Sequence, residues 1–123
     1  MKCVMLIYES VANLESRKDA GRDPYVAAWR AYYKALVGAG VYVSGEPLKA
    51  NATATTVRLK DGKRHVQDGP FAEAKERLGG FIILDVSSLE AALEWAARCP
   101  ATASGAVEVH PIDVDLHDIV VTP

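Results

Sequence analysis

The residues best suited to chemistry lie mid-chain. In Asp68-Gly69-Pro70-Phe71-Ala72-Glu73-Ala74-Lys75-Glu76 three carboxylates, an ammonium and an aromatic ring occupy nine positions. A carboxylate can take a proton near neutral pH when burial or a second carboxylate disfavours its charge, which makes Asp68 and Glu73 candidate general bases. His110 is a candidate proton carrier, because imidazole changes charge close to neutrality. Lys75 would orient an anionic substrate and Phe71 would lie against a flat one. Tyr8, Trp29 and Glu46 complete the candidate binding set; Glu46 stands at a strand end between Gly45 and Pro47, where a functional carboxylate can be held in place. Asp68 also has a purely structural use. Two residues before Pro70, it can accept the N–H of Phe71 or Ala72 and close an Asx turn. Gly69 and Pro70 prescribe the loop backbone in either case.

The elements that must position these groups follow from the rest of the chain. Its 123 residues, 50% hydrophobic, describe a single domain over 1–123. A net charge of −2 with mixed signs argues against nucleic-acid binding, which calls for a basic face. The opening run is too short for a signal peptide, and no apolar stretch approaches a membrane span, so a cytoplasmic protein is expected. Cys3 and Cys99 are too few for a disulfide framework and are expected as reduced, buried thiols.

Lys2 to Tyr8 and Gly80 to Val86 are nearly unbroken apolar runs, predicting two strands covered on both faces. Glu9 to Arg22 is polar and unpatterned, a long loop with a short helical piece. Asp23-Pro24 supplies an N-cap and a first-turn proline, and Tyr25, Trp29, Tyr32, Tyr33 and Leu36 fall at helical spacing on one side. Such a stripe is either core or the wall of a pocket for a flat ligand. Val41-Tyr42-Val43 restarts a strand. Asp61-Gly62 between two β-prone runs predicts a hairpin over 54–67. Its Arg58, Lys60, Lys63, Arg64 and His65 form a local basic patch, either protecting an exposed edge or holding an anion. Ser87 and Glu90 make a capping-box pattern ahead of a helix whose inner face is Leu89, Ala92, Leu93, Ala96 and Cys99. Gly105 to Ile112 reads as the last strand. An extended tail would bring Asp113, Asp115 and His117 to one face, a weak metal-ligand pattern; no metal site is assigned.

The order strand, helix, strand, hairpin, strand, helix, strand predicts an α+β, ferredoxin-like split βαβ with an inserted β-hairpin and both helices on one face. Two helices cover one face only. A second copy is the most economical cover for the other, giving a homodimer with a barrel-like centre.

The stretch from Asp68 to Glu76, followed by Leu78-Gly79-Gly80-Phe81, resembles the signature of the DGPF branch of the YCII-related family. Met5-Leu6-Ile7-Tyr8, the segment from Ala39 to Leu48, and the run from Ala91 through Ala96 to Val109 match as well, so the resemblance spans almost the whole chain. It implies a dimeric α+β barrel. For function it implies either of two things: a cofactor-independent enzyme or binder of small, often aromatic compounds, or a regulatory protein linked to an extracytoplasmic-function sigma factor. Enzymatic relatives carry a histidine on the first helix; here that helix has none, and Trp29 takes the corresponding place. His110 stands where the branch usually has arginine. The first reading, acid/base chemistry on a small organic ligand with no cofactor, is expected.

Overall fold

The computed structural model of the chain describes residues 1–49, 54–71 and 76–122. Glu73 and Lys75 lie outside the described residues. The elements are β1 (Lys2–Glu9), α1 (Val11–Glu15), a 3-10 turn (Ser16–Asp19), α2 (Pro24–Gly38), β2 (Tyr42–Pro47), β3 (Thr55–Lys60), β4 (Lys63–Asp68), β5 (Arg77–Asp85), α3 (Leu89–Arg98), β6 (Ala106–Pro111) and α4 (Val114–Val121). The protein is mixed α+β: an antiparallel sheet of order β2-β5-β1-β6 and a separate β3-β4 hairpin. That order is consistent with the expected ferredoxin-like arrangement.

Strict alternation along β1 buries Cys3, Met5 and Ile7 on one face together with Ile82 and Leu84 of the paired β5. Tyr32 and Leu36 of α2 and Ala92 and Ala96 of α3 close the same core. Each of the large, fully buried side chains, Met5, Leu36, Ile82 and Leu84, contributes roughly 1.5–3 kcal/mol. Val4, Leu6 and Tyr8 of β1 and Phe81 and Ile83 of β5 point to the other face and are only half-buried. A single chain thus dries one side of the sheet, not both.

Local signals were obeyed with two exceptions. Asp23 caps α2, its carboxylate accepting the Tyr25 N–H at 2.8 Å, with Pro24 in the first turn. The hairpin turns on Asp61 and Gly62, both at positive φ (53° and 74°), the twist that matches paired strands. On α3, however, Ser88 rather than Ser87 is the N-cap, accepting the Ala91 N–H at 3.2 Å. Leu89 and Leu93 are correspondingly exposed, and the inner face narrows to Ala92, Ala96 and the following Cys99. The tail is also not extended: Asp113 caps α4 by accepting the Leu116 N–H at 2.9 Å. Helical spacing separates Asp115 from His117, and among the described residues no three His, Cys, Asp or Glu side chains are grouped to hold a metal. Both cysteines are buried, and burial pushes the Cys99 thiol up to about 12. No helix among the described residues is long and apolar enough to cross a membrane.

Candidate active site

A cavity of about 500 Å³ opens between α2 and the sheet. Its apolar wall is Val26, Trp29 and Tyr33 on α2, and its floor is Ile7 with Gly79 and Gly80. The glycine pair creates that floor. Gly79 is the extra residue of a bulge, since Ile7 pairs with Gly80 and Tyr8 with Leu78. A Cβ at Gly79 would stand 2.0 Å from Glu9 Oε2. Gly79→Ala is therefore expected to destabilise the protein by about 1–3 kcal/mol through overpacking. Urea denaturation checks this, with Gly38→Ala as the control because a Cβ there meets nothing within 4 Å.

Glu9 is the focal group. It ends β1 in register with Cys3, Met5 and Ile7, so the alternation that builds the core also carries a carboxylate into it, 3% exposed. Burying a charge is costly without partners. Glu9 has two: Oε1 accepts the Tyr25 hydroxyl at 2.6 Å, and Oε2 accepts Arg17 Nη2 at 3.1 Å. Arg17, on the 3-10 turn, also donates to the Gly79 carbonyl at 2.8 Å and to the Leu48 carbonyl. One guanidinium therefore ties the Glu9 end of β1 to the β5 bulge and the exit of β2. Asp23 sets the first turn of α2, and that turn carries Tyr25 to Glu9.

The phenols beside the carboxylate are held neutral. Burial, then the hydrogen bond to Glu9, keeps Tyr25 well above the ordinary phenol range, and burial pushes Tyr33 up to about 12. Trp29 meets Tyr25 and Tyr32 edge-on, with ring centroids 6.4 and 5.7 Å apart, so the aromatic wall is braced. The site thus offers one buried proton acceptor, neutral hydroxyl donors and a flat apolar wall.

Of the residues singled out from sequence, Trp29 lines this cavity and Glu46, exposed on β2, reaches its rim. The others lie elsewhere. Asp68 is exposed at the end of β4, paired in the ladder with Thr55. Phe71 is 77% exposed beneath Arg58, whose Cζ is 5.5 Å from the ring centroid. Tyr8 and His110 sit on the open face of the sheet, where His110 Nε2 meets Glu108 Oε1 at 2.6 Å. In one chain Asp68, Phe71, Tyr8 and His110 are absent from the cavity lining. Sequence reasoning missed Glu9 and Arg17 and took Tyr25 only as part of a stripe. The available signal was the period of two along β1, which puts Glu9 on the core face.

Residues 1–114 match the YCII-related domain. An uncharacterised protein of Rhizobium meliloti (strain 1021) is 34% identical over 106 residues, 85% of this chain and 84% of that protein. Among solved structures, 5-chloro-2-hydroxyhydroquinone dehydrochlorinase from Burkholderia phenoliruptrix AC1100, in complex with 2,5-dihydroxybenzoquinone, is similar in fold. Its TM-score is 0.52 at 19% identity, over 92% of this chain and 94% of that one.

Proposed function

The chain belongs to the YCII-related family, and on that footing we propose that the cavity under α2 binds a small, flat, oxygenated aromatic compound, on which Glu9 acts as proton acceptor. The observation that carries this is the buried Glu9 carboxylate, partnered by Tyr25 and Arg17, at an aromatic-walled cavity. Convergent polar groups in an otherwise apolar cavity are the usual form of a ligand site. A fold neighbour captured with a dihydroxybenzoquinone supports the ligand class. The reading needs no cofactor: proton transfer between Glu9 and a ring hydroxyl or ring carbon is acid/base chemistry.

We assign the chain to the DGPF branch on Asp68-Gly69-Pro70-Phe71, with a cytoplasmic location. We further read it as a homodimer joined through the half-buried open face of Val4, Leu6, Tyr8, Phe81 and Ile83. In that assembly His110, on the open face, lies between the two sheets. The ligand reading is tested by thermal denaturation against a panel of dihydroxybenzenes, hydroxyquinones and benzoates. At least one is expected to raise Tm by several degrees, with the shift lost in Trp29→Ala. A flat response across the panel would reject the aromatic ligand class.

A further inference from the structure

We propose that the basic face of the β3-β4 hairpin binds a nucleoside diphosphate, a site independent of the cavity under α2 and of the dimer reading. The strand register sorts the hairpin into two faces. Val57, Leu59 and Val66 stand on one with Arg64 and Asp68; Thr56, Arg58, Lys60, Lys63, His65 and Gln67 stand on the other. Of the hairpin's acids, Asp68 is on the apolar face and Asp61 is in the turn. The second face therefore sets Arg58, Lys60 and Lys63 beside an imidazole with no strand carboxylate among them, in a chain whose net charge is −2.

That arrangement is costly without an anion. Arg58 pairs across the ladder with His65, and Lys60 with Lys63. Like charges set directly opposite destabilise a pair of strands. Guarding an exposed edge calls for charge, but not for charge in facing pairs. Arg58, Lys60, His65 and Gln67 line a cavity of about 380 Å³ with Leu59, a volume in the range of small-molecule sites. Guanidinium and ammonium groups are the usual protein partners of phosphate. The other end of the face is aromatic. Phe71 is 77% exposed although Arg58 Cζ lies 5.5 Å from its ring centroid, and an exposed ring beside cations is a platform on which a nucleobase stacks. From its base to its tip the face runs Phe71, then Arg58 with His65, then Lys60 with Lys63, the last two pairs about 7 Å apart along the strands. Base, first phosphate and second phosphate follow one another in the same order in a nucleoside diphosphate. Gln67, across from Thr56, adds an amide that can meet the sugar or the base edge. Two charged steps suit a single nucleotide and are too few to track a nucleic-acid strand.

Isothermal titration calorimetry at low salt tests this with ADP, inorganic pyrophosphate and a short single-stranded DNA. ADP is expected to bind with a Kd on the order of 10–100 µM, and pyrophosphate about 10-fold more weakly for want of the stacked base. Lys60→Gln and Lys63→Gln should each weaken ADP by about 10-fold. Arg64→Gln removes the same charge from the opposite face and should leave ADP unaffected. Phe71→Ala should bring ADP down to the affinity of pyrophosphate without changing pyrophosphate itself. Excess magnesium should weaken ADP several-fold, because the complexed diphosphate carries less negative charge and the face has no strand carboxylate to hold the metal. All four substituted side chains are exposed, and far-UV circular dichroism confirms that the variants fold. A Kd for ADP above about 1 mM would overturn the proposal. Equal weakening by Arg64→Gln would overturn the assignment to this face, and tighter binding with magnesium would overturn the charge argument. Pyrophosphate binding as tightly as ADP would reject the nucleotide, and DNA binding more tightly than ADP would give the face to a nucleic-acid strand instead.

Discussion

Arg17→Met is expected to destabilise the protein by about 2–4 kcal/mol, and adding Glu9→Gln to the same chain is expected to recover most of that loss. The cost comes from the partner left behind more than from the bond removed. Glu9 is nearly inaccessible to water, and without Arg17 its second oxygen loses its cationic partner. The Arg17 side chain is 36% exposed, so solvent can reach part of the site, and the expected cost falls below that of a fully buried pair. Glu9→Gln removes the charge while keeping the shape, and the remaining amide can still meet Tyr25. Urea denaturation of the wild type, both single variants and the double variant gives the coupling directly. Two results would reject the account: Arg17→Met within about 0.5 kcal/mol of the wild type, which is the scale of an ordinary surface substitution, or a double variant less stable than Arg17→Met alone.

The same pair explains what was readable in the chain and what was not. Signals confined to neighbouring residues carried through: Asp23-Pro24 opened α2, Asp61-Gly62 turned the hairpin, and the apolar runs became β1 and β5. The aromatic stripe on α2 proved to be both core and cavity wall, with Tyr32 buried and Trp29 facing the cavity. At α3 the capping-box spacing pointed to Ser87, but the neighbouring Ser88 caps the helix. The centre of the site was harder to see because its parts are far apart in sequence. Glu9, Arg17, Tyr25 and Gly79 meet only when β5 pairs with β1 and the 3-10 turn folds back over the strand end. Taken singly, Glu9 is the first polar residue after an apolar run and resembles the start of a loop. The crowded stretch from Asp68 stands out because its residues are adjacent, and adjacency along the chain is a poor guide to convergence in space. In the sequence Gly79-Gly80 reads as part of a signature; its physical meaning is that a side chain at Gly79 would run into the buried Glu9 carboxylate and one at Gly80 into the Glu46 backbone of β2.

The largest effect on chemistry is expected at Glu9. In deuterated buffer, a polyphenol such as 1,2,4-trihydroxybenzene exchanges ring hydrogens when a base takes a hydroxyl proton, the ring carbon accepts a deuteron from solvent, the resulting ketone gives up the original proton from that carbon to the base, and the phenolate oxygen regains a deuteron. Glu9 is the buried acceptor at the cavity, while Tyr25 and Tyr33 are fixed as donors by their raised pKa values. If the cavity catalyses this transfer, Glu9→Gln should lower the protein-dependent exchange rate by about 10²–10⁴-fold, the usual scale for removing a general base. Tyr25→Phe should lower it by about 10-fold, because it removes one hydrogen bond that orients the carboxylate but leaves the acceptor in place. The rate should show no alkaline limb from these phenols below about pH 11, because burial pushes the Tyr33 hydroxyl up to about 12, and burial with the Glu9 hydrogen bond holds Tyr25 well above the ordinary phenol range. Proton NMR of the ring signals follows all three outcomes. A Glu9→Gln protein that binds the polyphenol and exchanges it as fast as the wild type would leave the cavity as a binding site and remove Glu9 from the chemistry. A normal rate in Tyr25→Phe together with a lost rate in Glu9→Gln would instead assign the orientation of the carboxylate to Arg17 alone.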